Sequence, residues 1–372
     1  MTRLSILDLA PIVSGQTARE ALHNTIDLAQ RAEEFGYHRY WLAEHHLTPG
    51  VASSAPAVLI GAVAAATSRI RVGSGAVQLG HQTPLAVVEQ FGTLDALHPG
   101  RIDLGLGRSG QRAKELRSAA EAPAPPQATA RIVDGLLIPP AFSFATIAGS
   151  PLFKLYGSLL QQPGAESPDF AEQVDDIQAL LAGTYRSADG FLAHAQPGEG
   201  AEVELWILGS SGGQSAQVAG EHGLPFAANY HVSPATVLEA VEAYRDAFKP
   251  SQTLAAPHVM VSADVVVAPT DQEARRIAEP YGLWVRSIRT GAGAMAFPAP
   301  EEAAAHVWSQ GDRALVADRL DTQFVGSPET VAGKLRVLRD VTGADELLVT
   351  TIAHDHADRV RSHELLAAAW RE

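Results

Sequence analysis

Along the chain, short apolar runs take turns with stretches in which apolar residues recur at helical spacing. Eight short runs are largely apolar, as is typical of buried strands, and between most of them the apolar residues recur at helical spacing. The runs are residues 4–9, 39–43, 70–77, 102–107, 204–209, 225–229, 258–268 and 346–351. Strands that alternate with helices form a mainly parallel sheet, and eight such strands can close into a barrel. The pattern therefore predicts an α/β protein with a (β/α)8 TIM barrel.

Two helices carry clear boundary signals. Residues 17–35 place apolar side chains on one face and are followed by Gly36, a residue typical of helix ends. Near the end of the chain, Ser327 and Pro328 supply an N-terminal cap and a favourable first helical residue. We expect this second helix to run through Leu338.

One connection is much longer than the others. Almost a hundred residues separate the fourth and fifth strands, too many for one loop and one helix. We interpret residues 113–168 as an insertion or lid region within a single domain of residues 1–372. Because this connection leaves a barrel on its active-site face, the insertion is expected to wall the substrate pocket or to form an oligomer contact.

Residues 135–152, inside this connection, carry no charge and have the length of a short membrane span, about 18 residues. They contain three prolines, and no basic cluster flanks them, so we expect no membrane span. The first 15 residues are interrupted by Asp8 and Pro11 and do not resemble a signal peptide. The expected location is therefore the cytoplasm.

Composition narrows the classes of partner. The 28 Lys and Arg residues face 42 Asp and Glu residues, giving a net charge of -14 that argues against binding to nucleic acid or anionic lipid. The chain has no cysteine, which removes disulfides, thiolate metal sites and a cysteine nucleophile. The expected partner is a small molecule or another protein.

The segment YWLAEHHLTPG, residues 40–50, places three titratable side chains at the end of the second strand. Adjacent side chains in a strand point to opposite sides, so His45 and His46 do not readily share a metal, and we expect none. His45 aimed into the barrel mouth, with Glu44 or His46 holding it, fits an acid, a base or a hydrogen-bond donor. The alternative is a histidine packed structurally at a strand end.

A second group follows the fifth strand, where the sequence from Gly209 reads GSSGGQSAQVAGEHG. Unpaired N–H groups at Ser211, Gly212 and Gly213, at the start of a helix, together with the serine hydroxyls, are suited to an anion such as phosphate. Arg108, at the end of the neighbouring fourth strand, is expected to contribute its guanidinium. A simple turn is the alternative.

A third group lies in RVGSGAVQLGHQTP, where Gly73, Ser74, Gly75 and Ala76 leave the third strand with little side-chain bulk. A flat ring can lie against such a backbone, although close helix packing explains it equally well. The ends of the second to fifth strands form one arc of the expected barrel. A planar cofactor with a phosphate tail would span that arc.

These motifs, together with LHPGRIDLGLGR, FVGSPETVAGKLRVL and TGADELLVTT, resemble those of the bacterial luciferase-like flavin monooxygenase family. The resemblance implies a barrel with reduced FMN at its C-terminal mouth, supplied by a separate NAD(P)H-dependent flavin reductase in a two-component system. It implies that His45 assists the reaction of the flavin with oxygen and that Glu44 orients it. It also implies a cis peptide at Gly75-Ala76.

The resemblance assigns Arg108, Ser210 and Ser211 to the phosphate, with Gly209 and Gly212 in the same turn. The pair Gly212-Gly213 departs from the family pattern, which leaves the donor among residues 210–215 open. The insertion is longer than usual, so the family does not indicate what it binds.

Together these observations predict an FMN-dependent monooxygenase that uses O2 to oxygenate a small apolar substrate. One alternative is hydride transfer with the deazaflavin F420, whose acidic tail would need further basic residues such as Arg112, Lys114 and Arg117. The other is a flavin-binding protein without turnover. Residues 54–67 offer an apolar surface of small side chains that predicts a homodimer, although ordinary core packing explains them too.

Overall fold

The computed structural model describes residues 2–108, 129–162 and 164–371. Eight strands close into a parallel barrel in the order β1, β2, β3, β5, β8, β9, β10 and β12, with β12 pairing back to β1. The strands are β1 (Arg3–Asp8), β2 (Arg39–Leu42), β3 (Arg71–Ser74), β4 (Val77–Gln78), β5 (Ile102–Gly107), β6 (Arg131–Val133), β7 (Leu136–Ile138), β8 (Glu204–Gly209), β9 (Phe226–Asn229), β10 (Val259–Val267), β11 (Phe324–Gly326) and β12 (Glu346–Thr350). The expected (β/α)8 TIM barrel is confirmed.

Every strand run expected from the sequence contains one barrel strand, with ends that differ by a few residues. The third run is split, because β3 ends at Ser74 and the chain resumes pairing as β4 after the Gly75-Ala76 peptide. The short strand β11, which pairs with β10, and the hairpin β6–β7 were not expected.

Helices pack around the outside of the barrel and over its mouth. They are α1 (Ala18–Phe35), α2 (Pro56–Ala66), α3 (Pro84–Leu97), α4 (Ala145–Ala148), α5 (Pro151–Leu160), α6 (Phe170–Leu181), α7 (Gln214–Glu221), α8 (Val237–Ala247), α9 (Asp271–Ala278), α10 (Tyr281–Arg289), α11 (Pro300–Ala304), α12 (Gln310–Thr322), α13 (Pro328–Thr342) and α14 (His356–Trp370). Thr17 caps α1 and Gly36 ends it in the left-handed region at φ 81°, as expected. Ser327 caps α13, but the helix passes Leu338 because the left-handed residue that ends it is Gly343.

Two apolar cores follow from the alternation of side chains along the strands. Side chains that point outward pack beneath the helices, among them Ile6, Tyr40, Val72, Ile207 and Val261. Side chains that point inward fill the centre of the barrel, among them Leu7, Trp41, Trp206, Met260 and Leu348. The centre is thus packed rather than hollow, and open space is left at the carboxyl ends of the strands.

A buried ionic cluster closes the opposite end of the barrel. Arg39, at the start of β2, is almost fully buried. Its Nη1 lies 2.8 Å from Asp103 Oδ2, its Nη2 2.8 Å from Glu204 Oε1, and its Nε 3.1 Å from Glu346 Oε1. All four residues sit at the amino ends of barrel strands, where polar groups usually serve stability rather than chemistry.

Two connections are long. The first, between β5 and β8, contains the hairpin β6–β7 and helices α4, α5 and α6, and residues 109–128 within it lie outside the described residues. The second, between β10 and β12, contains α9 to α13, of which only α13 was expected from the sequence. In the parts of the chain that the structure describes, no helix combines the length and apolar character of a membrane span. The uncharged residues 135–152 are divided among β7, α4 and the start of α5.

Candidate active site

A cavity of about 550 Å³ opens at the carboxyl ends of the barrel strands. This volume lies within the range of small-molecule and cofactor sites. Most residues expected at the site border the cavity, namely Glu44, His45, Gly75, Ala76, Arg108, Gly209, Ser210 and Ser211. The end of the barrel at which active sites of this fold occur is therefore where the sequence motifs meet.

His45 projects into this cavity just beyond β2. Its backbone N–H donates to Ser53 O at 2.9 Å, which fixes the main chain. Neither ring nitrogen of His45 has a hydrogen-bond partner within the described part of the chain. The His45 side chain is exposed and borders the cavity. Desolvation by the protein atoms around the ring, with a smaller contribution from His46, lowers the pKa of His45 to about 4, so the imidazole is neutral near pH 7.

Glu44 does not hold His45, which corrects one expected contact. Its Oε1 lies 2.8 Å from His46 Nε2, and its Oε2 accepts from the backbone N–H of Gln78 at 2.9 Å. His46 does not border the cavity, although its neighbours Glu44 and His45 both do. Glu44 thus anchors the rim of the cavity to the chain after the third strand.

One wall of the cavity has almost no side chains. It consists of Gly75, Ala76 and Gly107, and the Gly75-Ala76 peptide is cis, as the resemblance implies. A Cβ at Gly75 would lie 2.8 Å from Leu7 Cδ1, and one at Gly107 would lie 3.2 Å from Ala76 Cβ. The wall is therefore a flat strip of backbone against which a planar ring can rest.

Two residues of the same motif serve the barrel rather than the cavity. The hydroxyl of Ser74 donates to Gly105 O at 2.9 Å and accepts from Gly105 N–H at 3.0 Å. Ser74 is fully buried and does not border the cavity. A Cβ at Gly73 would lie 2.5 Å from Asp103 Cβ, so this glycine allows close packing of the neighbouring strands.

The turn after β8 forms a cradle at the start of α7. Ser210, Ser211, Gly213 and Ser215 border the cavity. Within the described residues, the N–H groups of Ser211 and Gly213 have no acceptor, whereas the N–H of Gly212 donates to Glu239 Oε1 at 3.2 Å. Gly212 is turned from the cavity, so the donors on the cavity side are its neighbours. Such N–H groups at a helix N-terminus favour an anion.

Arg108 faces this cradle from the end of β5. Its Nη1 donates to Gln214 Oε1 at 2.7 Å, and Gln214 Nε2 in turn donates to Asp169 Oδ2 at 2.8 Å. Gln214 is the first residue of α7, and its amide therefore links the guanidinium to Asp169, the N-cap of α6. This chain of contacts holds a permanent positive charge beside the N–H groups of the turn.

The opposite side of the cavity has a polar cluster that sequence reasoning did not identify. His231, Ser262, Asp264, Arg319 and Thr350 all border the cavity. His231 Nδ1 lies 2.6 Å from Ser262 Oγ, and burial lowers the pKa of His231 to about 4. Polar residues at alternate positions of the apolar strand β10 were the available signal, because Ser262 and Asp264 must face the same side. Arg319 lies on α12, far along the chain, and had no such signal.

The described part of the long insertion covers the mouth of the cavity. Phe144 and Phe153 border it. Tyr156 Oη donates to Gln78 Oε1 at 2.5 Å, and Gln161 Nε2 donates to Gly80 O at 2.9 Å. Helix α5 is thus fastened to the chain that follows the third strand, and its aromatic residues add an apolar wall.

These features fit a ligand that combines a planar ring with a phosphate, as FMN and F420 both do. The flat wall matches a planar ring system, and Arg108 with the N–H groups of Ser211 and Gly213 matches a phosphate. The two lie on neighbouring strands, as one ligand with both groups requires. The basic residues Arg112, Lys114 and Arg117, considered for the longer tail of F420, lie outside the described residues.

The fold and the cavity define a class of (β/α)8 barrel enzymes with their site at the C-terminal mouth. Residues 2–136 and 150–346 match the model of the luciferase-like monooxygenase family, and the chain belongs to that family. The chain is 36% identical to a luciferase-like monooxygenase of Escherichia coli, with 97% of this chain and 95% of the relative covered. It is also similar to the solved structure of apo-MsnO8, with a TM-score of 0.77, 32% identity and coverage of 100% and 98%.

Another relative, matched over only part of the chain, has a name that states its activity. Over 109 residues, the chain is 55% identical to an N-acetyl-S-alkylcysteine monooxygenase of Bacillus subtilis, covering 29% of this chain and 33% of the relative. Two more distant structures share the fold, an FMN complex of a diketocamphane monooxygenase component from Pseudomonas putida and an F420-dependent secondary alcohol dehydrogenase. Their TM-scores are both 0.61, at 21% and 15% identity and at least 97% coverage of each chain. The fold by itself therefore accommodates either cofactor.

Proposed function

We propose that this protein is a monooxygenase that uses reduced FMN and O2 to oxygenate a small apolar molecule. The observation that carries the proposal is the arrangement around one cavity of a flat backbone wall, an anion cradle with Arg108, and the neutral imidazole of His45. Membership of the luciferase-like monooxygenase family supports oxygen chemistry. The wall and the cradle support a cofactor with a planar ring and a phosphate, for which we propose FMN.

Each part of the site has a separate task in this proposal. Bound reduced FMN would supply the electrons that activate oxygen. Arg108 and the N–H groups of Ser211 and Gly213 would hold its phosphate, and the strip at Gly75 and Ala76 would support its ring. His45, neutral at pH 7 and facing the cavity, can accept a proton or donate a hydrogen bond there.

The apolar residues around the mouth exclude water. Phe144 and Phe153 from the insertion and Trp284 and Ile288 from α10 border the cavity. A dry cavity protects reactive species from side reactions and favours an apolar substrate. We propose that the insertion is a wall or lid of the active site.

We further propose two protein partners. A separate NAD(P)H-dependent flavin reductase would supply reduced FMN. A second copy of the chain would pack against α2 and α3, where Val58 and Leu97 are 77% and 69% exposed. Exposed apolar residues on neighbouring helices favour such a contact.

The test is oxygen incorporation with a defined cofactor. The full-length protein would be mixed with reduced FMN, ¹⁸O2 and a panel of small ketones, aldehydes and thioethers, with N-acetyl-S-methylcysteine included because of the named relative. We expect a product that carries one labelled oxygen atom, detected by mass spectrometry. A parallel reaction would contain reduced FMN and ¹⁸O2 without protein, to measure uncatalysed oxidation.

Two other results would replace the proposal. Tight binding of F420 with substrate oxidation in the absence of O2 would establish hydride transfer on the same fold. FMN binding without any substrate-dependent use of oxygen would point to a flavin-binding protein without turnover. Titration of the protein with FMN and with F420 before the reaction separates these cases.

A further inference from the structure

A buried charged cluster lies across the cavity from the anion cradle. Arg319 Nη2 is 3.1 Å from Asp264 Oδ2 and also bonds to the hydroxyl of Tyr281, which donates to the same carboxylate. All three side chains are more than nine-tenths buried. Proposed flavin binding uses none of them, although Arg319 and Asp264 both border the cavity.

The cluster retains hydrogen-bond donors that have no acceptor among the described residues. The Nε of Arg319 and the hydroxyl of Thr350 are buried there without a partner. The Nη1 of Arg319 also has no acceptor in the described chain. Asp264 and Thr350 are register partners on neighbouring strands β10 and β12, so the unpartnered hydroxyl lies beside the ion pair.

An unpartnered buried donor costs free energy, so the two donors beside the cavity call for an acceptor. Thr350 is 2% exposed and Arg319 is 6% exposed, so bulk water reaches neither side chain freely. Both residues border the cavity, so it is the nearest space for an acceptor, although the Nε and hydroxyl atoms are themselves covered and would reach it only after a side-chain shift. His231, held at Nδ1 by Ser262, adds a ring on the same side of the cavity.

The cluster is separate from the cradle. Arg108 and the turn after Gly209 belong to the ends of β5 and β8, whereas Asp264 and Thr350 belong to β10 and β12. In the barrel, β9 lies between these two pairs on one side, and β1, β2 and β3 lie between them on the other. A ligand group held at Arg319 can therefore coexist with a phosphate held at Arg108.

We propose that Arg319 and Thr350 bind the carboxylate of the substrate. A carboxylate accepts several hydrogen bonds and matches a guanidinium with unused N–H groups, whereas a neutral carbonyl oxygen would leave donors unpaired. Trp284 and Ile352 border the same cavity and suit an apolar chain attached to that carboxylate. The structure thus points to a small apolar carboxylic acid rather than a neutral hydrocarbon or ketone.

Charges around the cluster set the strength of this preference. Burial opposes the charge of Arg319, but Tyr281 and Asp264 raise its pKa above its usual value, so it stays cationic. His45 and His231 are neutral at pH 7 because desolvation lowers the pKa of each to about 4. Asp264 repels a second carboxylate beside the same guanidinium. We therefore expect a preference of about tenfold for an acid over its amide.

Direct binding tests this inference without the reaction. The probes are 4-phenylbutanoate, 4-phenylbutanamide and 4-phenylbutan-1-ol, measured by calorimetry against the full-length wild-type protein at pH 7. We expect the acid to bind about ten times more tightly than the amide or the alcohol. Equal affinity for all three would overturn the proposal.

Substitutions of Thr350 and Arg319 test whether these residues bind the acid. Thr350→Val keeps the side-chain shape and removes the hydroxyl, and it should weaken binding of the acid about tenfold while leaving the alcohol within threefold. Arg319→Lys keeps a charge beside Asp264 and should also reduce the preference for the acid. If Arg319→Lys does not fold, Thr350→Val decides, and an unchanged preference in that variant would reject the assignment.

Arg108→Ala is the matched control, because it removes a cation from the other side of the cavity. We expect it to leave the affinity for 4-phenylbutanoate within twofold. Loss of acid binding in Arg108→Ala would place the probe in the cradle and overturn the proposal. The inference rests on the proposed function only in calling the acid a substrate, and these measurements need neither flavin nor oxygen. Binding can therefore succeed where oxygen incorporation fails, and the reverse.

Discussion

Two adjacent histidines at the end of β2 have different surroundings. His45 faces the cavity with both ring nitrogens unpartnered in the described chain, whereas His46 is bound to Glu44 at 2.8 Å. The cavity lining includes His45 and not His46, although the two are neighbours in sequence. Chemistry in the cavity is thus available to one of the pair and not to the other.

Replacement of His45 by Gln should lower product formation about 100-fold or more, because the cavity loses its proton acceptor. The affinity for FMN should stay within about twofold, since the proposed FMN contacts lie at the wall and the cradle. The rate of product formation at saturating reduced FMN would check the first number, and a titration with FMN would check the second. His46→Gln is the control and should keep most activity. Wild-type turnover in His45→Gln would remove this histidine from the proposed chemistry.

Contacts between separate elements determine where the anion site lies. The cradle requires the start of α7, the end of β5 and the amide of Gln214 that joins them. These contacts are not local in sequence, because Arg108 and Gln214 are 106 positions apart. A phosphate would therefore be held by the pairing of β5 with β8 as much as by the residues themselves.

Arg108→Ala should weaken FMN binding at least tenfold, because a charged hydrogen bond to phosphate is lost. Riboflavin, which lacks the phosphate, should bind the variant and the wild type with equal affinity. Fluorescence titration with both ligands gives the comparison. Gln214→Ala should show a smaller loss for FMN, since the guanidinium remains but is less well oriented. An equal loss for FMN and riboflavin would contradict a phosphate contact.

Two glycines in helices are predicted to respond oppositely to alanine. In α3, a Cβ at Gly92 would lie 2.2 Å from Gly198 Cα, a backbone atom that cannot rotate away, so Gly92→Ala should lower the free energy of unfolding by about 1 to 3 kcal/mol. In α13, no described atom lies within 4 Å of a Cβ at Gly333, so Gly333→Ala should raise it by about 1 kcal/mol. Urea unfolding measures both, and destabilisation by Gly333→Ala would contradict the open space at that position.

Buried ionisable groups couple the stability of the entire protein to pH. His363 on α14 is fully inaccessible, packs edge-on against Tyr37, and has no hydrogen-bond partner for either ring nitrogen in the described chain. Burial is the main cause that lowers its pKa, to about 3, and the charge of Arg359 acts in the same direction. The folded protein therefore holds this histidine neutral at pH values where the unfolded chain protonates it.

Stability should consequently fall as the pH decreases from about 6.5 toward 3, because only the unfolded state gains the proton in that range. For one such group, the free energy of unfolding changes by up to about 1.4 kcal/mol per pH unit. His363→Leu should reduce the dependence of the unfolding free energy on pH between 4 and 6, measured by urea titrations. His23→Leu, at an exposed position on α1, is the control. An unchanged slope in His363→Leu would refute this source of acid sensitivity.

Local patterns in the sequence were enough to predict the barrel and most of its rim. Apolar runs reveal strands because burial is a local demand on each run, and capping residues such as Thr17 reveal helix ends through local hydrogen bonds. The motifs around His45, Gly75, Arg108 and Ser211 were expected along one edge, and they border one cavity. The second long connection, with α10 and α12, was not predicted.

Which side chains meet could be read only from the folded chain. Ser74 is engaged by the backbone of Gly105, and Glu44 binds His46 rather than His45, because strand register and direction settle those contacts. The cluster of Asp264, Arg319 and Thr350 joins two strands and a helix from distant parts of the chain. Patterns of a few residues report burial and local geometry, whereas such contacts arise from closure of the barrel, which brings the ends of its strands together.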